Sequence, residues 1–161
     1  MIVTGAPGTG YRELAELICQ EHDMQLRDVD ADIIADLNLD PQLPLVELGE
    51  HRYREEQRKR VKSYRGSNEI MVVDSGAAPS LADLKLARGE IVAVSAPLNY
   101  LASSNGLNVA HPATLGAPRM MLRVLLQDLE SRWRALGALI LVQDDSNIKA
   151  LFSKFHLSVR N

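Results

Sequence analysis

Cysteine is almost absent from this chain: 161 residues contain one, Cys19. No internal disulfide can form, so the fold must rest on its hydrophobic core, and a reducing, cytoplasmic compartment is the expectation. Aromatic residues are scarce at 4%, which leaves aliphatic side chains to fill the interior. No apolar run approaches the roughly 18–20 residues that span a bilayer. The opening Met1-Ile2-Val3-Thr4-Gly5 lacks the basic-then-apolar layout of a secretory signal. Positive charge is not in excess either: 18 Lys and Arg stand against 21 Asp and Glu, a net charge of -3. That balance counts against a general nucleic-acid or anionic-membrane binder. What remains is ordinary globular composition, 46% hydrophobic and 24% charged, at a length suited to one compact domain spanning 1–161.

Short apolar runs alternate with longer amphipathic ones, which predicts a layered α/β domain with a mostly parallel sheet. Candidate strands are residues 1–4, 25–28, 70–74, 91–95 and 139–143. Ile70-Met71-Val72-Val73 and Leu139-Ile140-Leu141-Val142 are continuously apolar, as strands covered on both faces are. Leu14, Leu17 and Ile18 form one helical stripe, and Leu122, Leu125, Leu126 and Leu129 another. Turn chemistry from Asn38 to Pro44 separates two helices. The small, polar stretch from Ser103 to Pro112 reads as a loop over the sheet's carboxyl edge, where α/β proteins place ligands.

Gly5-Ala6-Pro7-Gly8-Thr9-Gly10 follows the first strand and runs into the first helix. This is the glycine spacing of a phosphate loop, G-x-x-x-x-G-K-[ST]. Gly5, Gly8, Thr9, Gly10, Tyr11 and Arg12 are therefore the candidate phosphate-binding residues, because such a loop aims backbone N–H groups and a helix N-terminus at an anion. Two chemical positions are changed. Tyr11 stands where lysine supplies a cation to the phosphates, and Arg12 where serine or threonine ligates Mg²⁺. A neutral phenol does not replace the charge, and a guanidinium has no lone pair for a metal.

The order of motifs along nearly the whole chain resembles the shikimate kinases, small P-loop kinases of the nucleoside-monophosphate-kinase type. The matching segments are the loop, Leu26-Arg27-Asp28-Val29-Asp30, Gly49-Glu50 through Tyr53-Arg54, Val72-Val73-Asp74-Ser75-Gly76, Ala110-His111-Pro112 and Leu129 to Trp133. The resemblance implies a three-layer α/β/α fold with a five-stranded parallel sheet in the order 2-3-1-4-5. It also implies a lid at about 103–116. By position it assigns substrate hydroxyls to Asp30, a substrate carboxylate to Arg54, close approach of the substrate to Gly76 and the metal environment to Asp28. Asp74 ends a central strand as a Walker-B metal ligand does, but a turn-forming or helix-capping aspartate fits there as well.

The departures from that pattern gather at the chemistry. The lid arginine is replaced by His111. Leu129 stands where a second carboxylate-binding arginine belongs, with Arg132 and Arg134 nearby, and Ala77 and Ala78 replace two glycines after Gly76. Loss of one catalytic arginine costs on the order of 10³–10⁵ in phosphoryl-transfer rate. The expectation is a shikimate-kinase-like pseudoenzyme that holds a phosphate-like anion or small carboxylate, with a binding or regulatory role that extends to a protein partner. The alternative is an active kinase moving the ATP γ-phosphate to shikimate or a similar hydroxy acid, in which case ATP and Mg²⁺ are its cofactors and Asp30 its catalytic residue. A third reading takes the basic stretch from His51 to Arg65 as a nucleic-acid surface, with Tyr53 and Tyr64 stacking on bases. Its interleaved glutamates favour a solvated helix instead. The Met120-Met121 pair is expected to fill core.

Overall fold

The computed structural model describes residues 1–66, 68–104, 116–144 and 147–159. Strand β1 (Ile2–Gly5) passes through the glycine loop into helix α1 (Tyr11–His22). Strand β2 (Gln25–Asp28) is followed by α2 (Val29–Leu37), α3 (Pro44–Leu48) and α4 (Glu50–Lys62). Strand β3 (Glu69–Val72) leads through a 3₁₀ turn at Ser75–Ala77 into α5 (Ala78–Ala82). Strand β4 (Ile91–Ser95) precedes α6 (Leu98–Ser104) and α7 (Gly116–Ala135), and β5 (Leu139–Val142) precedes α8 (Ile148–Val159). All the pairings are parallel, in the order β2-β3-β1-β4-β5, as the resemblance implied.

The period-two pleat of the central strands sorts their side chains between two helical layers. Val3, Ile70, Val72, Val92 and Val94 point to α1 and α8, packing with Leu14, Ile18 and Leu151. Their sequence neighbours Ile2, Met71, Val73 and Ile91 point to the other face, meeting Val29, Ile33, Val61 and Leu81. On that face, under α6 and α7, Ala93 contacts Leu101 and the fully buried Trp133.

Some boundaries move. β3 starts one residue earlier than predicted and ends at Val72. Val73 still donates one bond to Val3 O at 3.1 Å, but at Asp74 the chain turns into the 3₁₀ segment. The turn after α2 is as the sequence predicts: Asn38 adopts left-handed φ of 52°, and Pro44 opens α3. The expectation for Met120 and Met121 fails. They are 60% and 66% exposed, because α7 turns its Leu122–Leu126–Leu129 edge inward and leaves both methionines on the outer side. Tyr53 and Tyr64 are both buried, so neither ring is placed to stack on a base. Residues 105–115, and with them His111 and most of the 103–116 stretch, lie outside the described residues. Among the described residues, no helix is long and apolar enough to cross a membrane.

Candidate functional site

The glycine loop is built as its sequence requires. Gly8 and Gly10 take left-handed φ of 84° and 75°, a region open to glycine at little cost. Ala6 N–H donates to Val94 O at 3.0 Å and fixes the loop to β4, while the Thr9 hydroxyl donates back to Ala6 O at 2.7 Å. Tyr11, at the first position of α1, folds over the start of the loop. A Cβ on Gly5 would lie 2.8 Å from Tyr11 Cβ and 2.9 Å from its ring carbon Cδ1, so the absence of a side chain at Gly5 is what admits the ring. Burial pushes the Tyr11 phenol up to about 12, so it is uncharged at neutral pH.

Arg12 reaches to the end of β2, with its guanidinium carbon 5.3 Å from the Tyr11 ring centroid. Its Nη1 donates to Asp28 Oδ2, and its Nη2 donates to Asp30 Oδ2 at 2.9 Å. Asp28 also caps α2, with Oδ1 accepting the N–H groups of Asp30 and Ala31 at 3.0 and 3.1 Å. Asp30, nearly buried, accepts from the Tyr53 hydroxyl at 2.8 Å and from Gln57 Nε2 at 2.7 Å on its other oxygen. Burial, with Asp30 adding to it, pushes the Tyr53 phenol well above its ordinary value, so it stays a donor.

Gln57 continues the network. Its Nε2 also donates to Asp74 Oδ1 at 3.0 Å, and its Oε1 accepts from Arg54 Nη1 at 2.7 Å. Arg54 Nη1 lies 2.8 and 2.9 Å from the two Asp74 oxygens. The guanidinium lies flat against Gly76, where a Cβ would come within 2.3 Å of its central carbon. Asp74 makes no capping bond to the 3₁₀ turn it precedes; its side chain is spent on Arg54 and Gln57. One continuous chain of charge and amide thus runs Arg12–Asp30–Gln57–Asp74–Arg54.

Beside it opens a cavity of about 450 Å³ between the glycine loop, the Asp74–Gly76 turn and α7. Leu101, Leu122, Leu125, Leu126 and Leu129 give it an apolar wall, and Arg132 lines its rim, held to Asp128 at 2.9 Å. Arg134, the other arginine near Leu129, pairs with Glu130 at 2.8 Å outside the lining.

The sequence-predicted residues therefore form two adjoining groups. Gly5, Gly8, Thr9 and Gly10 make the loop, Tyr11 and Arg12 open α1, Arg54, Asp74 and Gly76 line the cavity beside them, and Asp28 and Asp30 join them outside that lining through Arg12 and Gln57. Gln57 was missed and Tyr53 misjudged. The signal for both is helical spacing: they sit at i and i+4 on α4, on the same inward face as Val61. The donor set does not fit a nucleotide-bound Mg²⁺. Every oxygen of Asp28 and Asp74 faces a hydrogen-bond donor, and the two residues after Gly10 are Tyr11, a neutral phenol, and Arg12, whose guanidinium has no lone pair for a metal. Among the described residues no group of three His, Cys, Asp or Glu is arranged to hold a metal ion.

No family model and no curated protein sequence matches the chain. Solved structures do. The shikimate kinase of Bacteroides thetaiotaomicron superposes with a TM-score of 0.72 at 17% identity, covering 99% of this chain and 97% of its own. The chain has the shikimate kinase fold. The Acinetobacter baumannii shikimate kinase, solved with shikimate bound, gives 0.73 at 15% identity over 99% of this chain and 92% of that one. A Sinorhizobium meliloti gluconokinase is more distant at 0.53 and 15%, over 99% and 90%. The shikimate kinase fold thus spans the chain with few identical residues.

Proposed function

We propose that this chain is a shikimate-kinase-like protein that does not transfer phosphoryl groups and uses the cleft to bind a small ligand, in a regulatory or assembly role. The observation that carries this reading is the pairing of Arg12 with Asp28 and Asp30. The side chain at the position that serves the metal in a working loop is spent on carboxylates. Tyr11 supports it by offering a buried neutral phenol in place of the phosphate-binding lysine. What survives is the backbone nest of Gly8 and Gly10 ahead of α1, suited to a phosphate-like anion. A ligand carboxylate at Arg54, the arrangement that the resemblance implies, has Asp74 as its competitor.

A coupled assay with ATP, Mg²⁺ and shikimate is expected to give no turnover, and rates near those of an ordinary kinase would overturn the proposal. In thermal shift, inorganic phosphate or shikimate is expected to raise the midpoint while ATP–Mg²⁺ does not. A ligand at 100 times its Kd stabilises by about 2.7 kcal/mol, well within detection. Tyr11→Lys with Arg12→Ser is expected to restore an ATP–Mg²⁺ shift. A second reading, an active kinase for a small hydroxy acid, is favoured by the near-complete structural coverage by shikimate kinases, and the same assay decides between the two.

A further inference from the structure

Asp28 and Asp30 present two carboxylates side by side where β2 meets α2, one of them nearly buried. Adjacent carboxylates repel, and burial of Asp30 makes an uncompensated charge costly. Some cation must hold them. In a phosphate loop with serine or threonine after the lysine, a divalent ion sits at that hydroxyl with acidic side chains about it. This chain has Arg12 at that position, and its guanidinium spans both carboxylates, Nη1 to Asp28 and Nη2 to Asp30.

The other two oxygens are also engaged. Asp28 Oδ1 receives two backbone N–H groups, and Asp30 Oδ1 receives the Tyr53 hydroxyl and Gln57 Nε2. Each of the four carboxylate oxygens therefore faces a donor. Mg²⁺ needs oxygen ligands at roughly 2.0–2.1 Å in near-octahedral array, so it would have to evict the guanidinium to bind here. A guanidinium is well suited to the place, since its planar fork engages two oxygens at once and never loses its charge.

We propose that the Arg12 guanidinium is the resident cation of this cleft, standing in for the divalent ion beside Asp28 and Asp30, so that whatever the cleft binds, it binds without a divalent metal. This goes beyond the proposed function, because a metal-independent cleft is compatible with either presence or absence of turnover.

Mn²⁺ serves as the probe, read by the electron paramagnetic resonance of the free ion. The wild-type chain is expected to leave the free-Mn²⁺ signal unchanged, with or without ATP, and to melt at the same temperature in EDTA and in millimolar Mg²⁺. Arg12→Ala is expected to melt about 3–8 °C lower in EDTA and to regain at least half of that loss in Mg²⁺ or Mn²⁺. Adding Asp28→Asn to Arg12→Ala removes the recovery. Mn²⁺ uptake by the wild-type chain overturns the proposal, as does an Arg12→Ala variant with unchanged midpoint and no response to divalent ions. Should Arg12→Ala not fold, Arg12→Lys decides in its place: it keeps a cation and is expected to ignore Mn²⁺, and a divalent-dependent midpoint overturns the proposal. ATP turnover in EDTA would defeat the non-catalytic reading and leave this one standing, whereas wild-type Mn²⁺ uptake without turnover does the reverse.

Discussion

Gly76 keeps its hydrogen for a reason the local backbone does not supply. Its φ is not in the left-handed set; the constraint is the Arg54 guanidinium stacked upon it, within 2.3 Å of where a Cβ would stand. Ala77 and Ala78, which follow it, are buried with their methyl groups in place. Gly76→Ala must therefore push the end of Arg54 aside, and Arg54 is not free to move, because Asp74 and Gln57 hold it. The expected cost is about 1–3 kcal/mol, the usual range for overpacking, measured as a lower urea midpoint at unchanged slope. A cost that persists in an Arg54→Ala background would show that the methyl clashes with something else.

At the level of elements, the sequence was most legible where burial is two-sided. Strands β3 and β4 declared themselves as continuous apolar runs, and the Leu14–Ile18 stripe placed α1 on the sheet; the equally apolar run of β5 is an edge strand instead, with Val142 45% exposed. Edge strand β2, with the polar sequence Gln-Leu-Arg-Asp, carries no such signal, and only its place in the alternation of strands and helices marks it. The cleft was half legible. Glycine spacing located the loop and the changes at Tyr11 and Arg12 stood out, but the direction Arg12 takes depends on where β2 ends in space. Gln57 escaped notice because its neighbours on α4 are charged and exposed, while it alone among the polar residues there is fully buried.

Helix α4 also shows what its basic run is for. Arg60, whose side chain is 14% exposed, bonds Glu56 at 2.6 Å on its own helix and Asp36 of α2 at 2.7 Å. Arg58 pairs with Asp83 at 2.7 Å, just beyond α5. These cations tie α4 to its neighbours. Arg60→Glu places like charges beside both partners and is expected to cost about 1 kcal/mol or more in urea unfolding, above the value of an exposed pair. Arg58→Glu, at a more open pair, is expected to cost less. Salt-dependent RNA binding by the wild-type chain, lost on reversing Arg58 and Arg60, would instead make this face a nucleic-acid surface.

Across the whole molecule, the carboxyl ends of the strands gather charge and then cancel it. Arg12 meets Asp28 and Asp30 and Arg54 meets Asp74, while on α7, at the cavity wall, Arg132 meets Asp128, so the charges beside the cavity are paired within the chain. Such a centre makes stability depend on protons at the alkaline end. The folded Tyr11 holds its proton up to about 12 against an ordinary value near 10. Because the folded pKa is the higher one, the contribution is fully present below pH 10 and is lost as pH rises through about 12. The difference corresponds to roughly 2–3 kcal/mol. Urea unfolding at pH 9 and at pH 11.5 should show the wild-type chain losing more stability between the two than Tyr11→Phe, which has no phenol to ionise. Tyr53 titrates in the same direction in both proteins, so it cancels in the comparison. Equal losses would mean that Tyr11 is reached by solvent and that the loop stands open where the fold has it filled.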